Sequence, residues 1–558
     1  MRAGCKSIKI AFQPVGTRVE VSAGSTVLEA GREAGLILAA NCGGNGLCGR
    51  CRVTVLGENI PAPTEAEYQA LSQADIEAGQ RLACRARLQG GAGVHIPRTT
   101  LGNQQRLQLE GGMRKLSVDA GVLRHNIAPD TRPLGVAVDI GCTKIAAYLL
   151  DLETGDQLAA CGMPNPQISY GEDLISRLVY ARKGSKQARE LADCVRNGIS
   201  KLIEELLDTR SEYASAKPEQ LADLCVVGNT AMTHLLLELP VAGLLVAPFV
   251  AASTAAVDVR AGDIGIELPG DAHVDVHVHV LPAIGAFVGA DHVAMILANG
   301  LHNCSHVSLG IDIGTNTEIA LSKPEHGLLL TSSCPAGPAF EGGHIRHGMR
   351  AAAGAIEKIK SGPDGLSLTT IGNELPVGLC GSGVIDAVAL LWHTGAIDYR
   401  GHLQPHKAGV REGDSGREYL LVEATKTGHG KDIVITQQDI GEVQLAKAAV
   451  AASIRTLLML SNTKAEDVEE LVLAGAFGSY LDVESSIEIG LLPRLPNATY
   501  LQAGNAAGTG AKMALVSTEM RAQAEQIARR AVRIDLKQQK GFNRELALAT
   551  RFPKERLT

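Results

Sequence analysis

Cys42-Gly43-Gly44-Asn45-Gly46-Leu47-Cys48-Gly49-Arg50-Cys51, answered much later by Cys84, is the stretch on which the reading of the N-terminal fifth of the chain turns. Its spacing is C-x5-C-x2-C-x32-C. Four glycines among three cysteines let a loop close tightly around an inorganic core and aim backbone N–H groups at its sulfurs. Four thiolates also suit zinc, but structural zinc sites usually pair two C-x2-C knuckles, and only Cys48 and Cys51 have that spacing. A disulfide is the third alternative. The pattern favours an iron–sulfur cluster held by Cys42, Cys48, Cys51 and Cys84.

The flanks fit a small carrier domain. Ser7 to Phe12 and Arg18 to Ser22 alternate as strands, Thr26 to Ala34 reads as a helix entered from Ser25, and Arg52 to Leu56 is a further strand. Cys84 is expected to open another strand through Arg87 towards His95 and Ile96. The cysteine loop resembles the [2Fe–2S] loop of plant-type and vertebrate-type ferredoxins, with five residues in the first gap where the plant pattern has four. An α+β ferredoxin-like (β-grasp) domain over residues 1–97 is therefore expected, with a [2Fe–2S] cluster.

Composition bounds the remainder. A chain of 558 residues is long enough for several domains. A net charge of −7 and 3% aromatic residues argue against a nucleic-acid surface of basic patches and stacking rings. The basic stretch from Arg521 to Arg556 reads as a solvated helix face and a closing strand. Met1 to Ile10 lacks the apolar core of a signal peptide, and the uncharged run Leu239 to Val257 is interrupted by Pro240 and Pro248, so it reads as a buried, broken segment with no membrane role. The other cysteines are scattered without metal-like spacing, as expected of free thiols in a reducing cytosol, and a cytoplasmic location is expected.

Residues 98–133 are polar and read as a linker whose use would be to move the cluster. Leu134 to Val138 then reads as a buried strand running into Asp139-Ile140-Gly141-Cys142-Thr143-Lys144 and a second strand, Ile145 to Leu150. The arrangement returns as strand Val307 to Ile311, turn Asp312-Ile313-Gly314-Thr315-Asn316-Thr317-Glu318 and strand Ile319 to Leu321. In such a hairpin the glycine admits phosphate to backbone N–H groups, hydroxyls add donors, and the aspartate faces Mg2+ with its water shell. One hairpin alone is an ordinary β-turn signal; two in matching strand contexts are a repeat. A strand from Glu470 to Leu473 entering Ala474-Gly475-Ala476-Phe477-Gly478-Ser479 adds a glycine turn able to admit an adenosine.

The two hairpins and the later turn resemble those of the actin, sugar-kinase and heat-shock-chaperone ATPase superfamily. With the cysteine loop in front, the whole chain is similar to the reductive activators of corrinoid-dependent enzymes, through Asn165–Asp173, Gly228–His234, Ala336–Gly343, Cys380–Gly383 and Asp439–Lys447. The resemblance implies a two-lobed α/β actin-like ATPase after the ferredoxin-like domain, with a first lobe at 134–300 and a second at 301–558. It implies that Asp139 and Asp312 orient Mg2+ and water, and that Gly141, Thr143, Gly314, Thr315 and Thr317 contact phosphates of ATP. By the same resemblance Glu318 orients the attacking water, and Gly475 and Gly478 line the adenosine. It implies an electron passed from the cluster to the Co(II) corrinoid of a methyltransferase system, restoring Co(I), with a corrinoid protein or corrinoid-dependent methyltransferase as partner and an upstream electron donor. Cys142 departs from the family pattern, which has threonine there. The alternatives are an actin-like small-molecule kinase with a fused ferredoxin, or an activator of another low-potential enzyme. A flavin- and nicotinamide-dependent reductase is disfavoured because Gly504 to Gly510 has the wrong spacing for a dinucleotide fingerprint. Whether two chains form a homodimer is open at this level.

Overall fold

The computed structural model describes residues 7–40, 42–56, 60–97, 100, 116, 118–119, 131–171, 173–208, 216–269, 276–362, 365–414 and 416–554. The first unit is a five-stranded sheet over a helix. It contains β1 (Ser7–Gln13), β2 (Arg18–Ser22), α1 (Val27–Glu33), β3 (Arg52–Leu56), α2 (Glu65–Ala70), α3 (Gln73–Glu77), β4 (Gln80–Leu82) and β5 (Ala92–His95), in sheet order β2-β1-β5-β3-β4. Alternate residues of β1, Ile8, Ile10 and Phe12, point inward against Val27 and Leu28 of α1, which is the grasp. Helix α1 begins one residue later than expected: Thr26 is the cap, its hydroxyl accepting from the Glu29 N–H at 3.1 Å while the Glu29 carboxylate takes the Thr26 N–H at 2.7 Å. Cys84 does not open a strand. It sits in the turn after β4, and the strand towards His95 begins only at Ala92.

Helices α2 and α3 were not anticipated, although Thr64 with Glu67 and Ser72 with Asp75 form capping boxes. Glu67 is fully buried and repays this by accepting the backbone N–H of Leu82 at 2.8 Å, tying the helix to β4 beside Cys84.

Two six-stranded sheets follow. The first uses β6 (Leu134–Ile140), β7 (Lys144–Asp151), β8 (Gln157–Pro164), α4 (Leu174–Ala181), α5 (Ser185–Asp208), β9 (Leu221–Gly228), α6 (Thr230–Leu236), α7 (Ala242–Leu245), β10 (Val257–Arg260), β11 (His277–Val280) and α8 (Ala290–Asn299). The second uses β12 (Ser308–Ile313), β13 (Asn316–Lys323), β14 (Leu328–Pro335), then a peripheral β15 (Ala355–Gly362), β16 (Gly365–Thr370), β17 (Gly378–Leu379), α9 (Gly381–Thr394), β18 (Val410–Gly413), β19 (Gly416–Val422) and β20 (Ile433–Thr436). It closes with α10 (Gln437–Leu460), β21 (Glu470–Ala474), α11 (Gly475–Gly478), α12 (Val483–Glu488), β22 (Thr499–Gly504), α13 (Ala506–Val516), α14 (Thr518–Arg530), β23 (Val532–Arg533) and α15 (Phe542–Ala549). The sheet orders are β10-β11-β9-β6-β7-β8 and β22-β21-β12-β13-β14-β23. In both, a central strand pairs antiparallel with its hairpin partner and parallel with a later strand, β6 with β9 and β12 with β21. These centres are buried on both faces, which is why they read as continuous apolar runs.

The sheets are joined by a shared layer of helices. Val293 and Ile296 of α8, Leu515 of α13 and Ile527 of α14 pack with Ala137 and Tyr148 of the first sheet and with Ala320 and Val472 of the second. Helices α8 and α13 approach so closely that a Cβ on Gly510 would lie 2.2 Å from the Ala294 carbonyl oxygen. Helices α13 and α14, although they lie between β22 and β23 of the second sheet in the chain, thus share one apolar layer with residues of the first sheet. Helix α10 is long and apolar enough to cross a membrane by length and composition, but 72% of its apolar window is buried inside the protein. The run Leu239 to Val257 is broken as expected but not buried throughout, since Val246 and Val250 are exposed.

The linker reading falls mostly outside the described residues. Its described part is anchored: the Asp119 carboxylate accepts the Ser517 hydroxyl at 2.6 Å and the Glu519 N–H at 3.1 Å, at the start of α14. Helix α14 is itself pinned by Arg521, whose guanidinium pairs with Asp223, a fully buried carboxylate on β9 that also bonds His277 Nδ1 at 2.8 Å. Breaking a buried pair costs about 3–5 kcal/mol, and loss of Arg521 leaves the Asp223 carboxylate with His277 as a remaining partner. Arg521→Ala should therefore lower the first thermal transition markedly, whereas Arg529→Ala, on the exposed face of the same helix, should leave it within error.

Candidate functional site

The four cysteines of the loop come together from two directions. Gly43, Gly44, Gly46 and Gly49 all have positive φ, and this is what turns the backbone around the thiols. Cys51 and Cys84 are buried with their Sγ atoms 3.4 Å apart; Cys42 and Cys48, half-buried, share a hydrogen bond of their own. Within each pair that bond moves one thiol towards thiolate, Cys42 and Cys84, and holds the other protonated, Cys48 and Cys51. Two thiolates about 2.3 Å from one tetrahedral iron or zinc lie roughly 3.8 Å apart, close to the separation seen. The thiols thus meet as two pairs, Cys51 with Cys84 and Cys42 with Cys48. Two pairs suit a two-iron core with two terminal thiolates on each iron.

The second centre is a cleft of about 260 Å³ between the sheets. Asp139, Gly141 and Thr143 from the β6–β7 hairpin line it opposite Asp312, Gly314, Thr315 and Glu318 from the β12–β13 hairpin, with Gly475 and Phe477 at the end of β21. Four carboxyl groups face one another here. Burial raises Asp139 to about 6, with the Asn505 amide pulling the other way. Burial, then the charge of Asp139, raises Asp312 to about 7; burial, then Asp312 and Asp139, raises Asp291 to about 8. Glu318 is pushed well above its usual range by burial and by Asp291 and Asp312. A partly buried group of like charges lining one cleft is what a divalent ion would relieve.

The hairpins are closed differently, and this relocates one expected residue. The register pairs Asp139 with Ala146, but Asp312 with Glu318. Glu318 therefore shares a face with Asp312, and Thr317, one residue earlier, is turned to the other face, fully buried and outside the cleft lining. Thr317 and Glu318 belong to strand β13, not to the turn. Gly478 also lies outside the lining, backed against Leu473, while Phe477 and Tyr480 line the cleft in its place. Gly475 has φ +85°, and a Cβ there would stand 2.4 Å from Asp312 Oδ1. Cys142 lines the cleft with its thiol held protonated by burial.

Sequence reasoning missed four contributors. Asn505 donates its amide to Asp139 Oδ2 at 2.9 Å and to the Tyr148 hydroxyl at 3.0 Å. It comes from the Gly504 to Gly510 stretch, whose glycines have the wrong spacing for a dinucleotide turn. Asp291 stands in the first turn of α8, where an acidic residue before an apolar helix reads as an ordinary helix start. Phe340 stacks on Phe477 with ring centres 5.4 Å apart and planes at 9°, and its neighbour Glu341 accepts hydroxyls from both hairpins.

The cluster unit rests on both halves of this assembly. The Arg32 guanidinium lies 4.0 Å from the Tyr170 ring centre and bonds the Ser169 carbonyl, while Arg50 reaches the Ile345 carbonyl at 3.2 Å. Beside it is a cavity of about 910 Å³ lined by Cys42, Leu47 and Cys48, by Phe249 and Phe287, and by Thr315 and Asn316. Those last two residues also line the nucleotide-type cleft.

A thiol loop on a β-grasp sheet, joined to two related sheets that close on a carboxylate cleft, defines an iron–sulfur domain fused to an actin-like ATPase fold. Family models agree: a 2Fe–2S iron–sulfur cluster binding domain matches residues 10–89, the RACo middle region 134–304, and the C-terminal domain of RACo, the ASKHA domain, 306–558. The chain is 31% identical over 585 aligned positions to the corrinoid activation enzyme RamQ of Eubacterium limosum, covering 95% of this chain and 96% of that protein. It is 27% identical to a [Co(II) methylated amine-specific corrinoid protein] reductase of Methanosarcina barkeri, over 64% of this chain and 66% of that one. A solved structure of a reductive activator for corrinoid, iron–sulfur protein matches with a TM-score of 0.68 and 30% identity, covering 98% of both chains. The chain belongs to the RACo family of reductive activators of corrinoid proteins.

The carboxylate cluster makes a pH prediction. An acid whose pKa is raised on folding keeps a proton that the unfolded chain loses, so its contribution to stability is complete below about 4 and is lost as pH rises through the folded value. Here those values are about 6 for Asp139, 7 for Asp312 and 8 for Asp291. The melting temperature in metal-free buffer should fall from about pH 5 to about pH 8. Mg-ATP should restore it at the alkaline end with release of protons, measurable by calorimetry in buffers of different ionisation enthalpy. A flat profile without proton release would count against the cluster as a cation site.

Proposed function

We propose that the chain delivers one electron to the corrinoid of a methyltransferase system, converting Co(II) to Co(I), and drives the transfer with ATP hydrolysis. When bound, the [2Fe–2S] group stores that electron, received from an upstream donor. In this reading Gly141, Thr143, Gly314 and Thr315 bind the phosphates, Gly475 and Phe477 admit the adenosine, and Asp139, Asp291 and Asp312 face the hydrated Mg2+. Asn505 holds Asp139 in place, and Glu318, which keeps a proton more readily than an ordinary carboxylate, orients the attacking water and takes its proton.

The need for ATP follows from potentials. Ferredoxin-type clusters lie near about −400 mV. In this reading the acceptor couple, Co(II)/Co(I), lies lower, as the resemblance implies, and each ~59 mV of one-electron deficit is a tenfold penalty. Hydrolysis carries no electron; it can only change the docked complex. The observation that carries the reading is the shared wall: Thr315 and Asn316 line both the ATP-type cleft and the cavity that Cys42 and Cys48 open onto. What happens at the phosphates thus borders what happens at the cluster.

The test is anaerobic visible spectroscopy of a Co(II) corrinoid methyltransferase protein mixed with reduced activator. Co(I) should form slowly without nucleotide and appreciably faster with Mg-ATP, and the partner should stimulate hydrolysis. Phosphorylation of a small metabolite with turnover, and no ATP-dependent Co(I), would favour the kinase alternative. Asp312→Asn should reduce hydrolysis at least tenfold with a much smaller change in ATP affinity, because the phosphate-facing backbone remains while the cation's surroundings change.

A further inference from the structure

Glu341 ends the short turn Pro338–Glu341 between β14 and β15, and no role above uses it. Its Oε1 accepts the Thr315 hydroxyl at 2.5 Å and its Oε2 accepts the Thr143 hydroxyl at 3.2 Å. These are the two hydroxyls assigned to phosphate, one from each hairpin, and all three residues line one cleft. To a hydroxyl donor, a carboxylate and a phosphate present the same kind of anionic oxygen. The backbone carrying Glu341 is fixed on both sides. Phe340 is buried and stacked on Phe477, and Gly342 has φ +77° with room for no Cβ, its place lying 2.5 Å from the Met349 carbonyl oxygen. The side chain alone can leave.

We infer that Glu341 is a resident substitute for phosphate, which joins the two hairpins before nucleotide arrives and from which the phosphates of ATP must take both hydroxyls. The inference rests on the nucleotide reading above. Two consequences follow from charge. Glu341 opposes the entry of any phosphate, so it sets the affinity for ATP and for inorganic phosphate alike. Once displaced, it hands the link between the hairpins to the phosphate, so the position of Thr315, and with it the wall of the cluster cavity, depends on what occupies the cleft.

The experiment is calorimetric titration of the full chain with Mg-ATP and, separately, with inorganic phosphate. Glu341→Gln keeps the shape and removes the charge, and should bind both about tenfold more tightly. Thr143→Val should bind ATP several-fold more weakly, because it loses a phosphate donor. Opposite signs separate displacement from a merely structural role, in which both variants would lose affinity. In the absence of nucleotide, Glu341→Gln should also exchange amide hydrogens faster at residues 141–145 and 314–317, and ATP should abolish the difference. If the glutamine variant fails to fold, Glu341→Ala, which lacks the charge and both acceptors, must show the same tightening. Unchanged or weaker binding by the folded variant overturns the inference while leaving ATP binding by the natural chain intact. No binding by the natural chain overturns the nucleotide reading and this inference with it.

Discussion

The structure depends on a repulsion. Asp139, Asp291, Asp312 and Glu318 are gathered in the cleft between two sheets, and the charges of Asp139, Asp291 and Asp312 each raise the pKa of at least one other. Nothing in apolar burial requires this arrangement, and an interior without them would be more stable. They are tolerated because each sits on an element that the core holds rigidly: Asp139 and Asp312 near the ends of fully buried strands, Glu318 opposite Asp312 in register, and Asp291 at the start of a helix wedged between the sheets. In the proposed reading, the cost of holding like charges apart from water would be recovered when a hydrated cation and phosphates enter, and the ligand would thereby gain leverage over the closure of the two sheets.

That leverage explains why the helices between the sheets matter as much as the strands. Val293, Leu515 and Ile527 form one apolar layer touching both sheets, and the Gly510 contact with Ala294 brings α8 and α13 nearly backbone to backbone. Asp291 leads α8, and Asn505 caps α13 while donating to Asp139. The two helices that glue the halves together thus begin at the cleft. A change in the cleft acts on the helix starts directly and has no need of a long relay.

The hairpins were legible because strand, aspartate, glycine and hydroxyl are contiguous in sequence. So was the β-grasp unit, whose strands alternate cleanly and whose cysteines are local except for Cys84. What escaped was set by register and by distance. Thr317 looks like a phosphate donor until the pairing of Asp312 with Glu318 turns it away, since a one-residue difference in how the hairpin closes inverts every side chain after it. Asp291 and Asn505 carry no local signature, because a helix start and a cap are what such residues ordinarily are; only the packing of α8 and α13 brings them to Asp139. Cys84 was placed on a strand because its neighbours alternate, whereas the need to meet Cys51 holds it in a turn.

The remaining question is how a carrier unit and an ATPase-type core become one device. Among the described residues the contacts between them include polar ones: Arg32 on Tyr170 and the Ser169 carbonyl, and Arg50 on the Ile345 carbonyl. Interactions of that size hold an orientation without making it permanent. Ile345 lies four residues beyond Glu341, and Tyr170 lies in the segment that follows β8, the strand paired with the β7 side of the first hairpin. Each docking point of the cluster unit is therefore close in the chain to an element that reaches the end of the cleft where Thr143 and Thr315 meet Glu341. With Leu47 beside the thiols 81% exposed, the loop keeps an apolar tip available while its flanks rest on the two halves. A carrier unit seated across both halves would experience any change in their separation as a change in its own support.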